Sequence, residues 1–113
     1  MIKVTILKKL VLEIKRKFNR VEANKIIDLL YTLQENPNKG KLLGSVGGLL
    51  IKEIKYKTFR FYFVTDGYNL LCYSKEELCD VLIQFVRMSD KKYQQKTINE
   101  IKHILLTIGP AGF

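Results

Sequence analysis

The chain has 113 residues, 47% of them hydrophobic and 27% charged, which suits one globular domain with a modest core and argues against disorder. Its net charge is +9, and the surplus is uneven: residues 1–60 carry 14 basic and 5 acidic side chains, residues 61–113 carry 6 of each. That asymmetry points to a polyanion or an acidic protein partner. No apolar run approaches the ~20 residues of a membrane span, and Met1–Thr5 lacks a signal cleavage pattern, so a cytoplasmic location without membrane contact is expected.

Ile2, Val4 and Ile6 alternate with Lys3 and Thr5, predicting a short first strand. Leu7, Leu10, Val11, Ile14 and Phe18 then recur at three- and four-residue steps, the spacing of an amphipathic helix. Asn19 followed by Glu22 reads as a capping box opening a second helix with Ala23, Ile26, Ile27, Leu30 and Leu33 on one stripe. Asn36-Pro37 is expected to end it. Lys39-Gly40-Lys41 and Gly44 through Gly48 read as a flexible loop.

Leu49–Lys57 and Phe59–Thr65 predict strands. Period-two alternation places Phe59, Phe61 and Phe63 on one face and Arg60, Tyr62 and Val64 on the other. Asp66-Gly67 is a turn signal. In residues 75–87 periodicity fits both helix and strand; the reading adopted is a short helix near Lys75–Cys79, opened by Ser74 with Glu77, followed by a strand over Val81–Arg87. Thr97 with Glu100 is expected to cap a last helix carrying Ile98, Ile101, Ile104, Leu105 and Ile108, stopped by Gly109-Pro110.

Cys72 and Cys79 lack the companions a zinc site needs, and His103 is the only histidine. Both thiols are read as free, in a reducing compartment, and His103 as a surface residue. There is no Ser/His/Asp arrangement and no P-loop, so neither a metal nor another cofactor is implied.

A basic and aromatic set remains: Lys52, Lys55, Lys57 and Arg60, then Arg87, Lys91, Lys92, Tyr93 and Lys96. Cations clustered at one phosphate can support RNA cleavage without a metal. The 2′-oxygen attacks the adjoining phosphorus, and Lys and Arg stabilise the charge that develops. Lysine is a poor base at its ordinary value of ~10.4. Another cation at about 5 Å costs about 3 kcal/mol at an effective dielectric of about 20, which favours the neutral amine closer to neutral pH. The competing reading of the same residues is a solvated edge strand guarded by lysine.

Glu53-Ile54-Lys55 followed by Phe59-Arg60 resembles the central hairpin of the RelE/ParE toxin superfamily, closest to its HigB-like, phage-derived RelE branch. Leu33–Pro37, Lys41–Gly44, Phe85-Val86 and the run Lys91-Lys92, Gln94, Lys96-Thr97, Glu100-Ile101 are similar to other parts of that branch, in the same order along nearly the whole chain. The stretch Asn69–Asp80 is longer than the family's turn, Arg87–Asp90 intervenes before the lysine pair, and Ile98 stands where proline is usual.

The resemblance implies a single RelE-like toxin domain over residues 1–113. Its fold would be α+β: two N-terminal helices packed on a small twisted antiparallel sheet, with a C-terminal helix. It implies the toxin of a type II toxin-antitoxin system, an endoribonuclease that cleaves ribosome-associated mRNA and is neutralised by a cognate antitoxin. Arg60 would contact the scissile phosphate, Lys55 and Lys52 would supply charge, and Lys91 or Lys92 with Tyr93 would complete the site. Lys57, Arg87 and Lys96 would bind RNA around it. Two alternatives stay open: a ParE-like topoisomerase inhibitor, and a non-catalytic nucleic-acid-binding domain, including a toxin that has lost activity.

Overall fold

The computed structural model describes residues 2–66 and 81–113. Strand β1 (Ile2–Ile6) leads through Leu7 into helix α1 (Lys8–Lys17), and helix α2 (Arg20–Tyr31) follows directly. Strands β2 (Lys41–Val46), β3 (Leu49–Tyr56), β4 (Phe59–Thr65) and β5 (Val81–Asp90) precede helix α3 (Gln94–Thr107). The five strands form one sheet in the order β1-β5-β4-β3-β2. The α+β class is therefore as expected, but the sheet is mixed. β1 runs parallel to β5, while the other three pairings are antiparallel. The two helices and three strands between β1 and β5 provide the long connection that parallel pairing needs.

The sheet buries apolar side chains on both faces. On one, Leu10 and Ile14 of α1 and Ala23, Ile26 and Leu30 of α2 meet Ile54, Phe61, Phe63, Ile83 and Phe85. On the other, Ile98, Ile101 and Leu105 of α3 meet Ile51, Tyr62, Val64 and Val86. The alternation along β4 decides this division, because successive side chains leave a strand on opposite faces. Phe61 and Phe63 are driven under the helix pair, Tyr62 and Val64 under α3. Phe18, between the helices, stacks edge-on against Phe59 at 4.9 Å and Tyr56 at 6.4 Å, fastening the helix pair to the β3–β4 turn.

Local chemistry corrects three expectations. Asn19 caps α2 by accepting the Glu22 N–H at 2.8 Å, but α2 ends at Tyr31 and the chain tightens into a 3₁₀ turn over Thr32–Gln34 before Pro37 is reached. The tighter turn brings Leu33 into the core. Residues 41–46, read as loop, are strand β2; Gly47 and Gly48 adopt φ of +57° and +82°, the left-handed pair a two-residue hairpin turn requires. The last helix begins at Gln94, one turn before the expected cap. Thr97 Oγ1 donates to the Tyr93 carbonyl at 2.9 Å, and Glu100 binds Arg87 instead of capping.

Strand β5 accounts for the second half of the ambiguous segment. Its ladder with β4 slips between Tyr62 and Phe63, leaving an extra β5 residue that lets Phe85 and Met88 share one core cluster although three residues apart. The helix expected near Lys75–Cys79, its Ser74 and Glu77 cap, Gly67, Cys72 and Cys79 lie outside the described residues.

Candidate active site

The β3–β4 register sets Lys55 directly opposite Arg60, and the β4–β5 register sets Arg60 opposite Ser89. Like charges facing each other across a ladder repel, so a sheet built only for stability would avoid this pair. Lys55 is exposed, whereas Arg60 keeps only 8% of its surface. Arg60 Nη1 donates to the Thr58 carbonyl at 3.2 Å, while its buried Nε–H meets no acceptor among the described residues. A guanidinium with a buried, unmade hydrogen bond costs stability, which sets Arg60 apart from the rest of the sheet.

Next to it, Tyr62 pairs with Glu53 on β3 and with Arg87 on β5. The Tyr62 hydroxyl lies 2.8 Å from Ser89 Oγ, and Ser89 Oγ lies within donating distance, 3.0 Å, of the Asp90 carbonyl. Burial pushes the phenol above its ordinary range; Ser89 and Arg60 pull the other way, and the carboxylates of Glu53 and Asp90 add to the rise. The Tyr62–Ser89 hydrogen bond ties β4 to β5 beside Arg60. Glu53, only 2% exposed, accepts from Gln94 Nε2 at 3.1 Å through Oε2, while Oε1 has no donor.

The turn from β5 into α3 brings Lys91, Lys92 and Tyr93 to the same end of the sheet. Asp90 Oδ1 accepts the Tyr93 N–H at 3.1 Å, which shapes the turn and leaves the Tyr93 ring 49% exposed, with Lys92 Nζ 5.5 Å from its centroid. Lys91, Lys92, Gln94, Gln95, Lys102 and Leu43 line a groove of about 420 Å³. A second groove, of about 350 Å³, runs between Lys39–Lys41 and Glu53–Lys55. Lys96 is exposed on the first turn of α3.

Three residues of the expected set are placed elsewhere. Lys52 faces the helix pair, because it stands opposite Phe63. Its ammonium donates to the Asn38 carbonyl at 3.3 Å and lies 5.9 Å from the Phe63 ring, and burial lowers its affinity for the proton. Lys57 takes the left-handed conformation (φ +54°) in the β3–β4 turn and pairs with Glu22 of α2. The Lys57 contact draws the Glu22 carboxyl below its ordinary range, and Glu22 holds Lys57 above its own. Arg87 is on the α3 face but bonds Glu100 Oε1 at 3.1 Å and the Val86 carbonyl at 2.8 Å, and lies 5.3 Å from the Phe113 ring. It ties α3 and the end of the chain to β5.

Sequence reasoning passed over Glu53, Gln94, Tyr62, Ser89 and Lys102 as site residues. Glu53 was within reach, since it shares a face with Lys55 by simple alternation. Gln94 and Ser89 depend on the start of α3 and the β5 register, which no local pattern encodes.

Comparison with family models, curated proteins and solved structures finds no match to this chain. No group of three or more metal-ligating side chains occurs among the described residues, and none of their helices is long and apolar enough to cross a membrane.

Proposed function

We propose that this chain is a RelE/HigB-like toxin: an endoribonuclease that cuts mRNA at the ribosome by 2′-hydroxyl attack and is held in check by a cognate antitoxin. The observation that carries this reading is the Lys55–Arg60 pair, with a guanidinium N–H buried and unpartnered beside it. Two cations held together at the cost of repulsion suit a phosphate whose charge rises in the transition state, and Lys and Arg can supply that stabilisation themselves. Lys91 and Lys92 add charge from the β5–α3 turn, and the exposed Tyr93 ring offers a surface on which an unstacked base can sit. Lys96 extends the basic surface along α3. A helix pair between β1 and β2 and one helix after β5 support this reading, although β1 precedes the pair and makes the sheet mixed.

Expression in a bacterial host is expected to arrest growth through loss of protein synthesis while plasmid supercoiling stays normal. Pulse labelling beside topoisomer gels checks this. Early loss of supercoiling with intact mRNA would replace this reading with topoisomerase inhibition. An acidic antitoxin that folds over the basic grooves should relieve the arrest.

A further inference from the structure

Resting on that ribonuclease reading, we propose that the groove between β2 and the start of α3 is a subsite for one nucleotide flanking the cut, its phosphate held by Lys102 and its base laid against Leu43 and Ile98. The β2–β3 ladder slips between Leu42 and Gly44, so Leu43 is an extra residue and Leu43 and Gly44 both stand opposite Ile51, on the α3 face. Leu43 packs on the α3 cluster that contains Ile98. Gly44 lies beneath Lys102: a Cβ there would sit 3.3 Å from Lys102 Cε and 3.5 Å from its Nζ. The bulge and the bare glycine together let Lys102 lie across β2 and line the groove.

The groove holds about 420 Å³, room for a single nucleotide. Lys91, Lys92 and Lys102 bring three ammonium groups to it; among the described residues no carboxylate lines it, and none of the three lysines has an ion-pair partner. The first turn of α3 carries no acidic side chain and Tyr93 provides no side-chain cap, so the N-terminal end of the helix adds to the attraction for an anion. Leu43 and Ile98 set an apolar wall beside these cations. A nucleotide joins the same two features, a charged phosphate and a ring with an apolar face. Gln94, also lining the groove, donates through Nε2 to Glu53 Oε2 at 3.1 Å, which leaves its amide oxygen to accept. A base edge has N–H groups to offer that oxygen; a carboxylate has none.

The Gln94–Glu53 bond also joins the groove to the candidate site. Glu53 is two residues before Lys55 on the same face of β3, about 7 Å along the strand. An RNA with its scissile phosphate at Lys55 and Arg60 can therefore place a neighbouring nucleotide in the groove. Lys102 would then fix the register of the strand from a distance, without touching the reacting atoms.

The test is a titration of the isotope-labelled full chain with an uncleavable 2′-O-methyl RNA trinucleotide, followed by amide NMR shifts, with wild type, Lys102→Met and Gly44→Val. Shifts in wild type should centre on Leu43, Gly44, Ile98 and Lys102, and a trinucleotide stripped of its bases should bind more weakly. Lys102→Met keeps the stem and drops the charge; it should weaken binding about 5- to 10-fold and reduce the slope of log K against log salt by about 0.7. Gly44→Val leaves every charge in place but crowds Lys102, and should weaken binding by a similar factor. Shifts centred elsewhere, or wild-type affinity in both folded variants, would overturn the subsite and leave the ribonuclease reading standing. Equal binding of the abasic trinucleotide, or tighter binding of a polyglutamate peptide at these amides, would also overturn it and make the groove a seat for an acidic protein. The wild-type comparisons decide the matter even where a variant fails to fold. Trinucleotide binding here by a chain that cuts no RNA in any context would remove the ribonuclease reading and leave the groove a nucleotide site.

Discussion

Replacing Arg60 by alanine is expected to lower RNA cleavage by about 10²–10³-fold, the usual loss when one contact to developing charge is removed. The fold should survive the change. Arg60 is buried with an unmade hydrogen bond, faces Lys55 across the ladder and, among the described residues, bonds only the Thr58 carbonyl two residues away. Removing it relieves that repulsion and that unmade bond while opening a small cavity, so the melting temperature should move by only a few degrees. Sites that hold charge ready for a transition state commonly sacrifice stability in this way. Arg60→Lys should restore part of the rate, because an ammonium supplies charge without the two parallel hydrogen bonds of a guanidinium. Cleavage assays paired with thermal melts check both halves; unchanged cleavage by a folded Arg60→Ala protein would remove Arg60 from the site.

The largest effect on stability is expected at Phe63. Its ring is fully buried, stacks at 4.9 Å on Phe85, and lies so close to Gly40 that a Cβ there would come within 3.0 Å of it. Phe63→Ala removes the ring from between two strands and the helix pair, and truncations of this kind cost about 3–5 kcal/mol. Against the roughly 5–15 kcal/mol that holds a domain of this size folded, that loss brings the chain close to unfolding. Equilibrium urea denaturation measures it. Loss of less than about 1 kcal/mol would show that the helix-pair core is not organised around this ring.

Much of the fold was legible because local chemistry and global packing agree. The alternation of residues 59–64 announced which face each side chain takes, and Asn19 announced the start of α2. β2 was not legible: its glycines read as a loop, and only pairing with β3 makes residues 41–46 a strand. The mixed sheet has no local signature for a related reason, since β1 pairs with β5 from the other end of the chain, Ile2 opposite Val81. At the candidate site, the resemblance singles out Lys55 and Arg60, and the alternation of β4 sets Arg60 on the face away from Phe59, Phe61 and Phe63. Lys52 was assigned beside Lys55, although three residues apart on a strand are on opposite faces; alternation alone would have sent it to the helix side. Arg87 and Lys57 carried the right charge but were claimed by Glu100 and Glu22, acidic partners at the far ends of other contacts. Charge is visible in a sequence. Which charges are already paired is not.

Cleavage of an RNA with a single 2′-deoxy nucleotide at the cut site tests the central claim most directly. The purified chain, supplied with translating ribosomes, should cut the all-ribose message and leave the deoxy-substituted one intact at that position, since the nucleophile has been removed. The product on the 5′ side should end in a 2′,3′-cyclic phosphate. Equal cleavage of both messages would contradict attack by the 2′-hydroxyl and, with it, the assignment of Arg60 and Lys55 to a ribonuclease site.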